Sequence, residues 1–176
     1  MESKNLAAAL YDTPDLAWND VEATLAAGLT QAPGTGGPDR HTCWLATIDA
    51  DGRPHVTGMG ALWAEGAFWI ETGRTTRKGR NLERDPRCTI SLALHDYDVV
   101  VEADGALVTD PDVVAARAAE WAPDWPCRVD DSGIALTAEF SAPSAGPPPW
   151  HVYRLSPTAA TVLQTVEPGG AMRFRF

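Results

Sequence analysis

Residues 71 to 87 read ETGRTTRKGRNLERDPR, and six of the chain's 14 cations (Arg74, Arg77, Lys78, Arg80, Arg84 and Arg87) fall inside this stretch. At its centre Thr76, Arg77 and Lys78 set a hydroxyl, a guanidinium and an ammonium side by side, at the start of a short helical pattern. That set suits a phosphate. The side chains supply charge-assisted hydrogen bonds, and a helix start adds free backbone N–H groups and the positive end of its dipole. The whole chain carries 24 Asp and Glu and a net charge of −10. Nucleic acid or an anionic membrane would need spread positive charge, so the basic island marks a local site. Part of it also reads as solvated ion pairs, because Glu83 and Asp85 stand beside Arg84 and Arg87.

Other reactive side chains form no motif. His41, His55, His95 and His151 lack metal-ligand spacing. His55, on the strand after the first hairpin, is the best placed of them for ligand contact. No Gly-x-Ser-x-Gly elbow, phosphate-binding Walker loop or Cys/His pairing stands out, so covalent catalysis has no visible nucleophile. Cys43, Cys88 and Cys127 are odd in number and far apart, which fits reduced thiols in a cytoplasmic protein better than a disulfide framework or a zinc site. No apolar run approaches a membrane span, and no signal-peptide pattern precedes the first Asp-rich turn.

The elements that must position the island can be placed along the chain. At 176 residues we expect one domain, with residues 1 to 15 carrying little pattern and expected to be mobile. Leu16, Val21, Leu25 and Leu29 recur at helical spacing and predict a helix over about 16 to 29, ended by TQAPGTGGPDR. The GTGG in that run follows no strand and opens no helix, so it is not a dinucleotide motif. From HTCWLATIDADGRPHV to AFWIET we expect a meander of three strands, turning at Asp51-Gly52 and again at AEG. The basic stretch then runs as a loop into a short helix, with Pro86 beyond its end. CTISLAL and DVVVEADGALVTD read as two strands. Asp110 caps, and Pro111 opens, a helix in PDVVAARAAEW. Residues 122 to 149 are rich in proline and read as an irregular excursion. WHVYRL and TAATVLQTV supply two last strands before the tail AMRFRF. The fold class is mostly β with helical additions, an antiparallel barrel of six or seven strands, and most of the seven tryptophans are expected in its core.

In order and spacing, WLATIDADGRPHV, LWAEGAFWIETG, TTRKGRNLERDPR and VVVEADGALVTD resemble the successive blocks of the pyridoxamine 5'-phosphate oxidase-like split β-barrels over about residues 16 to 121. The resemblance implies a flavin- or deazaflavin-binding oxidoreductase, a homodimer with two cofactor sites at its interface. It implies that Thr76, Arg77 and Lys78 hold the cofactor phosphate and that Thr72 also contacts the cofactor. Lys78 and Asn81 match a Lys-x-x-Asn pattern of relatives that use F-420. The second strand, at Thr57, Gly58 and Met59, would lie along the isoalloxazine ring. Against vitamin B6 oxidation, TGMGAL offers no second-strand cation, and the closing substrate-gripping residues are absent. This tilts the cofactor from FMN toward F-420.

The leading expectation is therefore hydride transfer between bound F-420 or FMN and a small organic substrate, with no acid or base identified. The alternatives are a carrier that holds flavin, F-420 or a haem (through His55 or His95) without turnover, and a cofactor-free structural barrel. In the tail, Phe174 and Phe176 alternate with Arg173 and Arg175. That pattern reads either as an edge strand packed for stability or as Arg173 reaching the ligand pocket.

Overall fold

The computed structural model describes residues 1–29 and 41–176; the expected helix stop and its GTGG run lie outside the described residues. The chain opens with β1 (Glu2–Asn5) and a one-turn helix, α1 (Ala8–Tyr11). Although the start of the chain shows little pattern, β1 pairs with the last strand from Glu2↔Arg175 to Asn5↔Met172. The backbone hydrogen bonds of a sheet edge recruit this segment whatever its side chains, so its sequence shows no pattern. Helix α2 (Trp18–Ala26) buries Trp18, Val21 and Leu25.

Strands β2 (Cys43–Ile48) and β3 (Pro54–Met59) form the expected hairpin, with Gly52 at φ 83° in the turn. The expected meander is broken in its middle strand. After Gly60-Ala61 the chain resumes as β4 (Leu62–Ala64), which pairs with β5 (Ala67–Thr72) rather than continuing along β2. Helix α3 (Arg77–Arg84) follows, then β6 (Arg87–Ala93), β7 (Tyr97–Leu107) and α4 (Pro111–Trp121). Asp110 caps α4 by accepting from the N–H groups of Asp112 and Val113. The excursion contains one small ribbon, β8 (Arg128–Val129) with β9 (Leu136–Thr137).

Where two last strands were expected there is one, β10 (His151–Gln164), followed by β11 (Gly170–Arg175). One edge of β10 pairs with β7 along its length through a bulge between Pro157 and Ala159. Its other edge is divided: His151–Leu155 pair with β5, and Ala159–Gln164 pair with β11. Proline donates no ladder hydrogen bond, and here it marks the bulge at which β10 changes partner. The main path runs β1-β11-β10-β7-β6-β2-β3, antiparallel throughout, with β5 and β4 branching from β10. This is a split antiparallel barrel, with eleven strands among the described residues where six or seven were expected.

Two cores result. Inside the barrel, Leu45, Phe68, Ile70, Ile90, Val101 and Leu155 pack with Trp18, Val21 and Leu25 of α2. Outside it, α4 and the excursion bury Trp69, Trp121, Leu136, Trp150 and Val152. Strand β5 lies between the two, with Phe68 and Ile70 turned to one core and Trp69 to the other. Most tryptophans are buried or half-buried as expected, but Trp44 is 52% exposed.

The tail separates its two kinds of side chain as the period-two pattern requires. Phe174 is 1% exposed and lies 5.4 Å, ring to ring, from Trp18. Arg173 faces outward to Glu102 at 2.9 Å and Thr161 at 3.3 Å. The tail is a packed strand with β1 outside it, so it is not the sheet edge. Replacing Phe174 by Ala should cost about 3–5 kcal/mol of stability, read from the urea midpoint. An unchanged midpoint would show that the tail does not close the barrel.

Candidate functional site

Thr72 ends β5 and Thr76 begins α3, and their hydroxyls meet at 3.0 Å. Thr76 Oγ1 donates to the Gly73 carbonyl at 2.7 Å and accepts from Gly79 N–H at 3.2 Å, so the Thr72 hydroxyl supplies the hydrogen between the two. Thr76 is thus a helix N-cap with its hydrogen-bonding capacity in use. The turn is tight: a Cβ on Gly79 would stand 2.6 Å from the Gly73 carbonyl oxygen, so only glycine fits there.

The first residues of α3 diverge. Arg77 points outward, half-exposed, and makes a two-point ion pair with Asp49, its Nε lying 2.9 Å from Oδ1. Asn81 is 3% exposed and donates to the same Asp49 oxygen at 2.9 Å and to Thr47 Oγ1 at 3.1 Å. The Asn81 carbonyl accepts from Arg84, which also donates to the Ile48 carbonyl. Asp49 therefore ties α3 to the end of β2. The hydrogen bond from Arg77, then that from Asn81, hold its carboxyl well below the usual carboxylate range. Within the island Arg74 pairs with Glu83 at 2.5 Å and Arg87 with Asp85 at 2.6 Å; Arg84 does not pair with Glu83.

Lys78 turns the other way. It is 3% exposed, and its ammonium donates to the Ser144 carbonyl in the excursion. Burial pulls its pKa down, and the nearby Glu71 carboxylate opposes that pull. Gly73 is covered by the same segment, with its Cβ position 3.1 Å from the Ala145 carbonyl. Unlike Arg77, Lys78 is therefore not open to solvent for an anion. The reason is that residues 142–146 fold back over α3, a contact between segments 66 residues apart.

Beside this contact lies a cleft of about 440 Å³. Gly58 to Leu62 form one side, Glu120 to Trp125 carry the other, and Glu71, Ser144, His41 and Trp44 complete it. Alternation along β5 puts Glu71 on the face of Trp69, the face covered by the second core. Burial pushes its carboxyl up to about 7, against the pull of Lys78.

Of the sequence candidates, Gly58 and Met59 line the cleft; Thr72, Thr76, Arg77, Lys78 and Asn81 gather around α3; Thr57 and His55 are half-buried on β3 opposite Leu45 and Thr47. Arg173 does not line the cleft and is engaged with Glu102 across the sheet. The exposed His95 lies next to Asp96 and is absent from the lining. Sequence reasoning missed Asp49, which reads as a turn residue, and Glu71, which reads as the polar outer face of a strand. It also missed the wall of Trp121, Asp124 and Trp125. No local signal marks any of these, because each owes its role to a distant segment.

A carboxyl whose folded pKa lies above its unfolded value binds its proton more tightly when folded. Its contribution is present below the unfolded pKa and is lost as pH rises through the folded one. For Glu71 that window runs from the ordinary 4.5 to about 7. Glu71→Gln should therefore gain in melting temperature relative to the parent as pH rises from 5 to 8. A constant difference across that range would show that Glu71 titrates normally.

The sequence profile described as Pyridoxamine 5'-phosphate oxidase matches residues 37–162. A pyridoxine/pyridoxamine 5'-phosphate oxidase of Paraburkholderia phymatum is 31% identical over 149 residues, covering 72% of this chain and 68% of that one. Among solved structures, a pyridoxamine 5'-phosphate oxidase-related, FMN-binding protein from Nostoc punctiforme superimposes with a TM-score of 0.55 at 17% identity. The match covers 76% of this chain and 80% of that one. A protein titled F420 Reductase superimposes with a TM-score of 0.52 at 18% identity, covering 84% and 98%. Both share the antiparallel split-barrel architecture found here. With the profile spanning most of the chain and a relative of this identity, the chain belongs to the pyridoxamine 5'-phosphate oxidase family.

Proposed function

We propose that this protein is an oxidoreductase that passes hydride between bound F-420 or FMN and a small organic substrate, and that it works as a homodimer. The observation that carries this reading is a ring-sized cleft at the end of β3, whose outer edge pairs with no strand among the described residues, in a chain that also carries the cationic start of α3. Family membership supports it, as do same-fold proteins whose titles name FMN binding and F420 reduction.

The fit to such a cofactor is divided. The Cβ position of Gly58 is covered by the protein's own Thr42 and Trp44 side chains, at 3.3 and 3.4 Å, so a flat ring here would meet the Trp44 indole, with the soft, polarizable Met59 beside it. Arg77 is open to solvent at the first turn of α3, where an exposed ion pair exchanges readily for a phosphate. Thr72, Thr76 and Asn81 act behind it by holding the helix start in place. Lys78 joins a phosphate only if the Ser144 carbonyl gives way. When bound, the cofactor supplies the hydride chemistry; these residues bind and orient it, and the tryptophan-lined wall excludes water. Thr57 and His55 would border the ring from β3. The vitamin itself fits poorly as substrate, because the cleft presents Glu71, Glu120 and Asp124 where a substrate phosphate would need cations.

Dimerisation has a surface to use. Trp44, Val56, Val100 and Leu163 are all at least 40% exposed on β2, β3, β7 and β10. Gly58, Trp44, Ser91, Val100 and Thr161 follow one another across the sheet in register. Trp44 and Gly58 also line the cleft, so a second copy on this face would complete it.

Titration with F-420 and FMN, followed by visible absorption, tests the reading. One of them should bind saturably, and Arg77→Ala should weaken it by roughly tenfold without changing the melting temperature. Lys78→Ala should lower stability as well, so its affinity must be taken per folded molecule. Failure of both cofactors to bind would remove the redox reading. Sedimentation at micromolar concentration should show twice 18.8 kDa; a monomer that still binds cofactor would remove the shared site.

A further inference from the structure

The two sides of the cleft differ in chemistry. Gly58, Met59, Gly60, Ala61 and Leu62 present backbone and apolar side chains. The Glu120–Trp125 segment presents two tryptophans, Trp121 and Trp125, with the carboxylates Glu120 and Asp124; Trp44, in register beside Gly58, and Glu71 of β5 add a third of each. An indole face carries negative potential and attracts cations, more strongly where water is excluded. Carboxylates beside such faces add charge of the same sign, and the whole chain, at −10, does so from further away.

Among the described residues the compensating charges are few and face elsewhere. Glu120 is paired at 3.0 Å with Arg117, which is 5% exposed and stacks over Trp69 at 4.7 Å outside the cleft. Lys78 is the cation nearest Glu71, but its ammonium is turned to the Ser144 carbonyl. Among the described residues the buried Cys127 thiol also lies near Glu71, and His41 lines the same cleft. Asp124 has no ion pair with any described residue. A carboxyl held inside the protein without a full partner is costly, and burial has already pushed Glu71 toward its protonated form. A cation in the cleft would offset that cost.

We propose that the cleft binds an organic cation, a protonated amine, quaternary ammonium or pyridinium-type ring, packed against the tryptophan faces with Glu71 and Asp124 as counter-charges. This rests on taking the cleft as the substrate pocket of the oxidoreductase proposed above, and it names the substrate class. A phosphate ester is the ligand that such a lining rejects.

Quenching of tryptophan fluorescence reads the binding. The probes are benzyltrimethylammonium, its uncharged carbon isostere neopentylbenzene, and benzenesulfonate. The cation should bind saturably and roughly tenfold tighter than the isostere, with no saturable response to the sulfonate. Glu71→Gln and Asp124→Asn should each weaken the cation about fivefold and leave the isostere unchanged. Asp124 is exposed, so its variant folds even if the Glu71 variant does not. Equal binding of cation and isostere, preference for the sulfonate, no binding of the cation, or unchanged cation affinity in both variants overturns the proposal. A cofactor that binds while the cation does not removes the cation assignment alone. A cation that binds while neither cofactor does removes the redox reading and leaves the assignment standing.

Discussion

A strand buried on both faces must find partners for every side chain it carries, and in this protein that strand is β5. Its inner face, Phe68 and Ile70, is fully buried in the barrel core, and its outer face places Trp69 against Arg117 of α4 and within the second core. Burying one such aromatic is worth roughly 2–3 kcal/mol, enough to dictate where the following chain must lie. Once α4 and the excursion cover the outer face of β5, Glu71 and Lys78 are carried inside with it. The cleft exists because this cover stops short of β3.

The same cover changes what the basic island does. Six cations within residues 74 to 87 suggest an open anion site, yet Arg74, Arg77 and Arg87 are matched by carboxylates and Lys78 by a carbonyl. Asp49 is the pivotal partner, since Arg77 and Asn81 both converge on it and so tie α3 to β2. Exposed pairs of this kind add little to stability. Their weight here is positional: Arg77 is held at the helix start and remains open to water, whereas Lys78 is committed to the fold.

Together these features separate two functions along one stretch of chain. The helix start offers the accessible Arg77 at α3, and the cleft offers aromatic side chains with a surplus of carboxylate. A bound redox ring lying along β3 would leave the acidic, aromatic wall for a second molecule. On the function proposed above, that division would let a family member keep a cationic helix start while lacking the cations that would hold a phosphorylated substrate.

Much of this was legible in the residues themselves. Alternation in CWLATI and ISLAL, the Asp51-Gly52 turn, and the Asp110-Pro111 cap are short-range signals, and each marks an element that is present. Thr76 at the head of α3 belongs with them, because a capping hydroxyl acts within three residues. Tertiary structure alone decided the rest. Gly60-Ala61 breaks a strand because β4 finds β5, and β10 runs unbroken because β5 and β11 share its edge. Glu71 reads as a solvent-facing residue until the excursion buries it, and Lys78 reads as a phosphate ligand until Ser144 meets it from 66 residues away. Local pattern reports what a residue does to its own backbone. Burial and charge state depend on which distant segment comes to cover it, and that is set only when the chain packs.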